Sequence, residues 1–236
     1  MVHGWRRHDL AGLSAAGWQV VLERDWDTSA RDCLAHWAAH GLPLVVTRQA
    51  GAPDPSVPGD SLALGLPAPL RWGRRRIALQ VRHRDVAGVQ PFFPALQAVA
   101  ELLAPVSAAR CRQLHAGLAG HGLVAQVYGS HGWQWLTGLD YLHADSDLDL
   151  LVHVPDADGA DAAAAMLAGS DIDHPRIDGE LLLPDGSATA WREWHRWRRG
   201  DTDAILVKRR HGATLEHGDA WLRRRAMMDS PAHARH

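Results

Sequence analysis

The chain has 236 residues, a formal net charge of −2 and two cysteines. This length allows one large domain or two small ones with a substantial core. The near-neutral charge excludes a generally basic surface for nucleic acid, and the isolated Cys33 and Cys111 exclude a disulfide framework or a zinc knuckle. No apolar segment resembles a signal peptide or a membrane span, so we expect a cytoplasmic protein with no nucleic-acid or membrane partner.

The N-terminal part of the sequence predicts a small α/β domain over residues 1–88. Its predicted elements are a helix over 29–40, a strand over 42–49, a loop over the Pro-rich and Gly-rich residues 49–70, and a strand over 75–83. Ser29 is suited to cap the helix, and Gly41 is suited to end it. Glycine and proline interrupt the pattern over 86–94, which is where we expect the domain to end.

The C-terminal part predicts a second domain over 89–228, followed by a flexible tail over 229–236. The predicted elements are helices over 94–104 and 107–119, strands over 123–128 and 147–154, a helix from about His131, a helix over 160–168, and strands over 176–184 and 204–210. Residues 188–197 fit a strand or a helix. Because strands and helices are interspersed without strict alternation, the sequence indicates an α+β fold with a mixed sheet.

Two aspartates stand at the head of the apolar strand over 147–154. In a strand, Asp147 and Asp149 share one face, while Leu148 and Leu150 point to the opposite, buried face. Two like charges on one face repel each other, and a hard divalent cation removes that penalty. Magnesium is typically held by one or two carboxylates together with phosphates and water. Asp147 and Asp149 are therefore candidate Mg²⁺ ligands, although a solvated strand edge would show the same pattern.

A Gly-Ser pair follows the preceding strand. Gly129 allows close approach of a ligand to the backbone, and Ser130 adds a hydroxyl at the start of the predicted helix. Backbone N–H groups in such a turn favour phosphate. We therefore interpret Gly129 and Ser130 as a phosphate-binding turn that complements the two aspartates.

Four further residues are candidates for the same site. Asp178 and Glu180 share a face of the strand over 176–184, and either could be a third metal ligand or accept a proton from the nucleophile. The sequence leaves this choice open, with some preference for Asp178 as a catalytic and metal-binding residue. Lys208, at the end of an apolar strand, and Arg192 are candidate phosphate ligands, but solvated surface residues would look the same.

The segment "YGSHGWQWLTGLDYLHADSDLDLL" resembles the signature of the malonate decarboxylase holo-acyl-carrier-protein synthases. These are phosphoribosyl-dephospho-CoA transferases of the polymerase-β-like nucleotidyltransferase superfamily. The resemblance extends through "RIDGELLLPDG", "WRE" and "ILVK", and more weakly through "RRHDL", "LPLVVTR" and "RRIALQV". The resemblance implies a polymerase-β-like catalytic domain with Mg²⁺ on Asp147 and Asp149 and the triphosphate on Gly129 and Ser130.

The resemblance also implies a reaction. The triphosphoribosyl-dephospho-CoA donor would be attacked at its α-phosphorus by a serine of the acyl-carrier subunit of malonate decarboxylase, and pyrophosphate would leave. The N-terminal domain would dock the carrier or the substrate. Two alternatives stay open: a nucleotidyltransferase acting on another acceptor, and a non-catalytic nucleotide-binding module. The Trp-rich residues 131–142 carry the resemblance, but the residue pattern predicts only a packing role for them.

Overall fold

The computed structural model describes residues 5–49, 60–90, 93–209 and 212–222. The chain divides into two compact units. The first comprises Met1–Pro94, Ser130–Ala144 and Arg210–Gly212, and the second comprises Ala95–Gly129, Asp145–Arg209 and Ala213–His236. Each unit contains one sheet of the α+β fold.

Strands and helices follow one another along the chain without strict alternation. In chain order they are β1 (Leu10–Leu13), α1 (Ala15–Leu22), α2 (Thr28–His40), β2 (Leu44–Val46), β3 (Ser61–Pro67), β4 (Arg76–Arg82), β5 (Val86–Gln90), α3 (Leu96–Val99), α4 (Pro105–Gly120), β6 (Val124–Val127), α5 (Gly129–Thr137), β7 (Leu148–His153), α6 (Ala157–Ala168), β8 (Ile177–Leu182), β9 (Ala188–Ala190), α7 (Trp191–Arg198), β10 (Ala204–Arg209) and β11 (Gly212–His217). Short 3₁₀ helices cover Leu70–Trp72, His83–Asp85 and Ala100–Leu102.

The first unit is built on a five-stranded antiparallel sheet in the order β4-β3-β2-β1-β5. Alternation along β3 and β4 sends one apolar face inward. Three apolar cross-strand pairs join the two strands there: Leu62 with Val81, Leu64 with Leu79, and Leu66 with Ile77. All six of these side chains are buried.

Several predictions for this unit were wrong. Residues 61–67 form β3, not part of a loop, because Leu62, Leu64 and Leu66 alternate with small residues despite the neighbouring prolines. The expected interruption over 86–94 contains β5, which pairs with β1, although the first stretch of this unit does end within that segment, at Pro94. Asp27, not Ser29, caps α2, since its carboxylate accepts from the Ala30 N–H. The part of the predicted loop over 50–59 lies outside the described residues.

The Trp-rich segment packs within the first unit. The Trp133 ring lies edge-on to Phe93 and stacks with Tyr141, whose hydroxyl donates to the Pro67 carbonyl at 2.7 Å. The Gln134 side-chain oxygen accepts from the backbone N–H groups of Tyr141 and Leu142 at 3.0 and 3.1 Å. The segment is therefore a folded helix and loop with a hydrogen-bonded clamp. The predicted packing role is confirmed for Trp133 and wrong for Trp135, whose side chain is 47% exposed.

We expect Gln134→Leu to lower the free energy of unfolding by about 1–3 kcal/mol, because two backbone donors lose their acceptor. Urea denaturation measures the change. Gln97→Leu makes the same chemical change at an exposed helical position and should have a much smaller effect. Equal stability losses in the two variants would contradict the clamp.

The second unit is built on a six-stranded mixed sheet in the order β11-β10-β9-β8-β7-β6. β7 and β8 run parallel, while β6 is antiparallel to β7 and β9 is antiparallel to β8. The residues predicted as strand or helix are both: three of them form β9, and α7 follows. The predicted helix over 94–104 is shorter, since α3 ends at Val99 and continues as a 3₁₀ turn.

The core of the second unit lies on one face of this sheet. The inward side chains of β7 and β8, and of the residues that follow each strand, belong to it: Leu148, Leu150, Val152, Val154, Ile177, Leu181 and Leu183. The predicted alternation of both strands is confirmed by these side chains, and the opposite face carries the acids. No helix in the described part of the chain is long and apolar enough to cross a membrane.

Candidate functional site

Three acidic residues stand together on the second sheet. Asp147 immediately precedes β7, Asp149 lies within it, and Asp178 is the direct register partner of Asp149 on the parallel strand β8. Parallel pairing in this register places the side chains of Asp149 and Asp178 next to each other on the face opposite the core. Residues that are distant in the chain are thus brought side by side.

The guanidinium group of Arg176 bridges two of these carboxylates. It donates to Asp147 through Nε at 3.0 Å and through Nη2 at 2.5 Å, and Nη2 also lies 3.3 Å from Asp178. This two-pronged geometry is the strong form of an arginine–carboxylate pair. The hydrogen bonds from Arg176 hold the pKa of Asp147 below its usual range.

Asp149 has a different environment from Asp147. Burial, followed by the negative charges of Asp178 and Asp147, raises the pKa of Asp149 to about 7. Burial disfavours the ionised form, and like charges add to that penalty. The site therefore concentrates more negative charge than Arg176 alone offsets at this position.

This raised pKa predicts a pH-dependent stability of the metal-free protein. Between about pH 4 and 7 the folded chain keeps a proton on Asp149 that the unfolded chain releases, so stability from this group falls as the pH rises through that range. Asp149→Asn removes the effect. We expect the variant to be more stable than the native chain by about 1–3 kcal/mol at pH 8 and to lose this advantage towards pH 4.

Thermal unfolding in EDTA across pH 4–8 measures the difference. Asp203→Asn, at an exposed position, serves as the matched control and should leave the pH dependence unchanged. Parallel stability curves for the native chain and Asp149→Asn would contradict the described environment of Asp149.

The predicted phosphate-binding turn begins at Gly129. Its φ of +61° lies in the left-handed region, and a β-carbon on it would overlap the Asp149 carboxylate. The backbone N–H of Tyr128 donates to the Asp149 carbonyl at 3.0 Å, which fixes the strand beside the turn. Glycine is thus required where the turn meets the acidic strand. Ser130 follows as the half-buried second residue of α5.

Glu180 and Lys208 form a pair on the same sheet. The ammonium group of Lys208 donates to the Glu180 carboxylate at 2.7 Å, and Glu180 is 6% exposed. Because Lys208 already neutralises the Glu180 carboxylate, a metal ion at Glu180 would have to displace the ammonium group. Arg192 is exposed, lies over the Trp191 ring and donates to the Ile177 carbonyl at 2.8 Å.

The carboxylates do not form a ready-made metal cage. Among the described residues, no group of three or more His, Cys, Asp or Glu side chains is arranged to hold a metal ion. The donor chemistry nevertheless fits magnesium, because Asp147, Asp149 and Asp178 offer only hard carboxylate oxygens. Magnesium in phosphate-transfer sites needs only one or two of these, with substrate phosphates and water as the other ligands.

Arg176 is the site residue that the sequence predictions missed. It is the first residue of the predicted strand over 176–184 and lies two positions before Asp178, so a positive charge next to the acidic face was visible in the sequence. Its two-carboxylate bridge depends on the β7–β8 register, which the local pattern does not specify.

Two family models match the chain. The phosphoribosyl-dephospho-CoA transferase MdcG N-terminal domain matches residues 6–92, and the C-terminal domain of the same family matches residues 95–218. The carboxylates, Gly129, Arg176 and Lys208 all lie within the second range. No solved structure matches the chain.

Similar proteins from several bacteria are all phosphoribosyl-dephospho-CoA transferases. A phosphoribosyl-dephospho-CoA transferase of Bradyrhizobium diazoefficiens is 39% identical over 212 residues, which cover 87% of this chain and 88% of that protein. A phosphoribosyl-dephospho-CoA transferase of Xanthomonas euvesicatoria is 40% identical, with 86% and 89% covered. One of Pseudomonas putida is 34% identical, with 92% and 95% covered. The chain therefore belongs to the phosphoribosyl-dephospho-CoA transferase MdcG family.

Proposed function

We propose that the protein attaches the prosthetic group of malonate decarboxylase in the cytoplasm. It would transfer 2′-(5″-phosphoribosyl)-3′-dephospho-CoA from the triphosphoribosyl precursor to a serine of the acyl-carrier subunit and release pyrophosphate. The observation that carries the proposal is the acidic face of β7 and β8 next to the Gly129 turn, in a chain of this family. Carboxylates beside a phosphate-binding turn suit the transfer of a phosphate-linked group.

We also propose that the second unit is a polymerase-β-like nucleotidyltransferase domain. Support comes from the order of its parts: β6, then the glycine turn that begins α5, then β7 with its paired aspartates, and then β8 with a third acid beside them. The mixed sheet carries these groups on one face and its apolar core on the other.

The proposed reaction has a simple atomic balance. The serine hydroxyl oxygen bonds to the α-phosphorus, the bond from that phosphorus to the pyrophosphate oxygen breaks, and the hydroxyl proton passes to a carboxylate. We assign the third carboxylate, as magnesium ligand or as proton acceptor, to Asp178 rather than to Glu180. Asp178 is partly exposed beside Asp149, whereas Glu180 is buried and bonded to Lys208.

The remaining roles follow from charge and placement. Asp147 and Asp149 would hold magnesium, which supplies charge neutralisation to the phosphates when bound. Lys208, positioned by Glu180, would bind the triphosphate together with the Gly129 and Ser130 backbone. Arg192 is a further candidate for the phosphates, because its exposed guanidinium is held at the start of β8.

The first unit, called here the N-terminal unit, would dock the carrier or the substrate. This proposal is supported by the Trp-rich segment that carries the family resemblance, because its residues Trp133 and Tyr141 pack within this unit. Cross-linking of the apo carrier to the N-terminal unit would support this role, and cross-links confined to the second unit would contradict it.

Pyrophosphate release tests the proposal against its alternatives. The protein, magnesium and apo carrier are incubated with either the triphosphoribosyl donor or ATP, and released pyrophosphate is measured. We expect release only with the CoA-derived donor and only in the presence of the carrier. Release with ATP alone would favour another nucleotidyl transfer, and no release with any donor would favour a binding module.

A further inference from the structure

Arg176 has no role in the proposed reaction so far, yet its guanidinium lies directly on the candidate metal ligands. It uses Nε and Nη2 to engage both oxygens of Asp147 and one oxygen of Asp178. These are carboxylate oxygens to which a magnesium ion would bind. Arg176 and the ion therefore compete for one set of ligands.

The contact is of a kind that can be exchanged. The Arg176 side chain is 58% exposed, and the Asp147 and Asp178 side chains are 31% and 37% exposed. The pair is strong for a surface ion pair because it is bidentate, but water reaches all three side chains, so a partner with a higher charge can replace the guanidinium. Arg176 also lies just outside β8, in the loop that leads into the strand, and most of its side chain faces solvent.

A divalent ion and the guanidinium would repel each other if both remained on these carboxylates. The donor provides an alternative partner, because its triphosphate carries several negative charges next to the metal. The planar fork of arginine matches phosphate oxygens as well as it matches carboxylates. Movement of Arg176 from the acids to the triphosphate would thus free the metal ligands and bind the donor in one exchange.

We propose that Arg176 is a triphosphate-binding residue that rests across Asp147 and Asp178, so that magnesium and donor bind cooperatively. The inference rests on the proposed function and deepens it. By linkage, each ligand raises the affinity for the other, because each makes the rearranged position of Arg176 more favourable. A purely structural ion pair would produce no such coupling.

Metal binding to the free enzyme is the first test, with Mn²⁺ as a spectroscopic probe measured by electron paramagnetic resonance. We expect Arg176→Gln to bind Mn²⁺ roughly five- to tenfold more tightly than the native chain, since the competing cation is gone. Arg176→Lys keeps the charge but loses the two-pronged contact, so its Mn²⁺ affinity should lie between those of the native chain and Arg176→Gln. Asp149→Asn should weaken Mn²⁺ binding, which places the probe at this site.

Donor kinetics is the second test. We expect Arg176→Gln to raise the KM for the triphosphoribosyl donor by about tenfold, with a smaller change in kcat, and Arg176→Lys to give an intermediate KM. Unchanged or weaker Mn²⁺ binding in Arg176→Gln would overturn the proposal, whatever the kinetics. Absence of transfer by the native chain would instead refute the proposed function, and the Mn²⁺ comparison would still decide the competition.

Discussion

Asp149→Asn and Asp147→Asn are each expected to slow prosthetic-group transfer by about 100- to 1,000-fold. Asparagine has nearly the shape of aspartate but lacks its charge, so the fold is preserved while the metal ligand and the neutralising field are lost. The effect should appear in kcat, because phosphate charge changes most as the bond to pyrophosphate breaks. Single-turnover transfer to apo carrier measures it.

The matched control for this experiment is Asp145→Asn. Asp145 is an exposed residue of the same loop, and it precedes the paired aspartates without joining the strand face. We expect its transfer rate to stay within about twofold of the native rate. Asp149 lies at the centre of the acidic face, since it is the β7 residue in register with Asp178 on β8. A normal transfer rate in Asp149→Asn would therefore show that this face is not the reaction centre.

Gly179→Ala is expected to lower the free energy of unfolding by about 3 kcal/mol or more. Gly179 lies in β8 between Asp178 and Glu180 with a φ of +134°, a conformation that residues with side chains rarely adopt. A β-carbon there would overlap the backbone of Leu150 on the neighbouring strand. The two strands that bear the acids would have to separate, so transfer activity should fall with stability.

Gly186→Ala separates steric overlap from backbone strain. Gly186 also has a positive φ, of +80°, but no atom lies within 4 Å of the position that a β-carbon would take there. We expect a loss of about 1–2 kcal/mol, from the left-handed conformation alone. Similar stability losses for the two variants in urea denaturation would contradict the close approach of β8 to β7.

Strand alternation made most of the site predictable. The single face shared by Asp147 and Asp149, and the buried face of Leu148 and Leu150, follow from a period of two residues and are confirmed by the core. The glycine turn was also visible, because Gly129 stands between a strand and a helix. Local periodicity was sufficient to predict a feature whenever all of its residues lie in one strand or in the turn next to it.

The features that the sequence did not reveal depend on long-range pairing. The neighbours Asp149 and Asp178 meet through a parallel register, and Arg176 bridges the acids only because of it. β3 was missed for another reason: its alternating leucines lie next to a Pro-rich stretch, which dominated the local signal. The clamp at Gln134 was missed because side-chain to backbone bonds leave no periodic pattern.

Intact-mass spectrometry of the apo carrier tests the central claim most directly. The native chain, the triphosphoribosyl donor and magnesium should increase the carrier mass by one phosphoribosyl-dephospho-CoA unit. The carrier mass should stay unchanged when its acceptor serine is replaced by alanine, and with Asp149→Asn over the same time. No mass shift with the native chain, or a full shift with Asp149→Asn, would contradict the account.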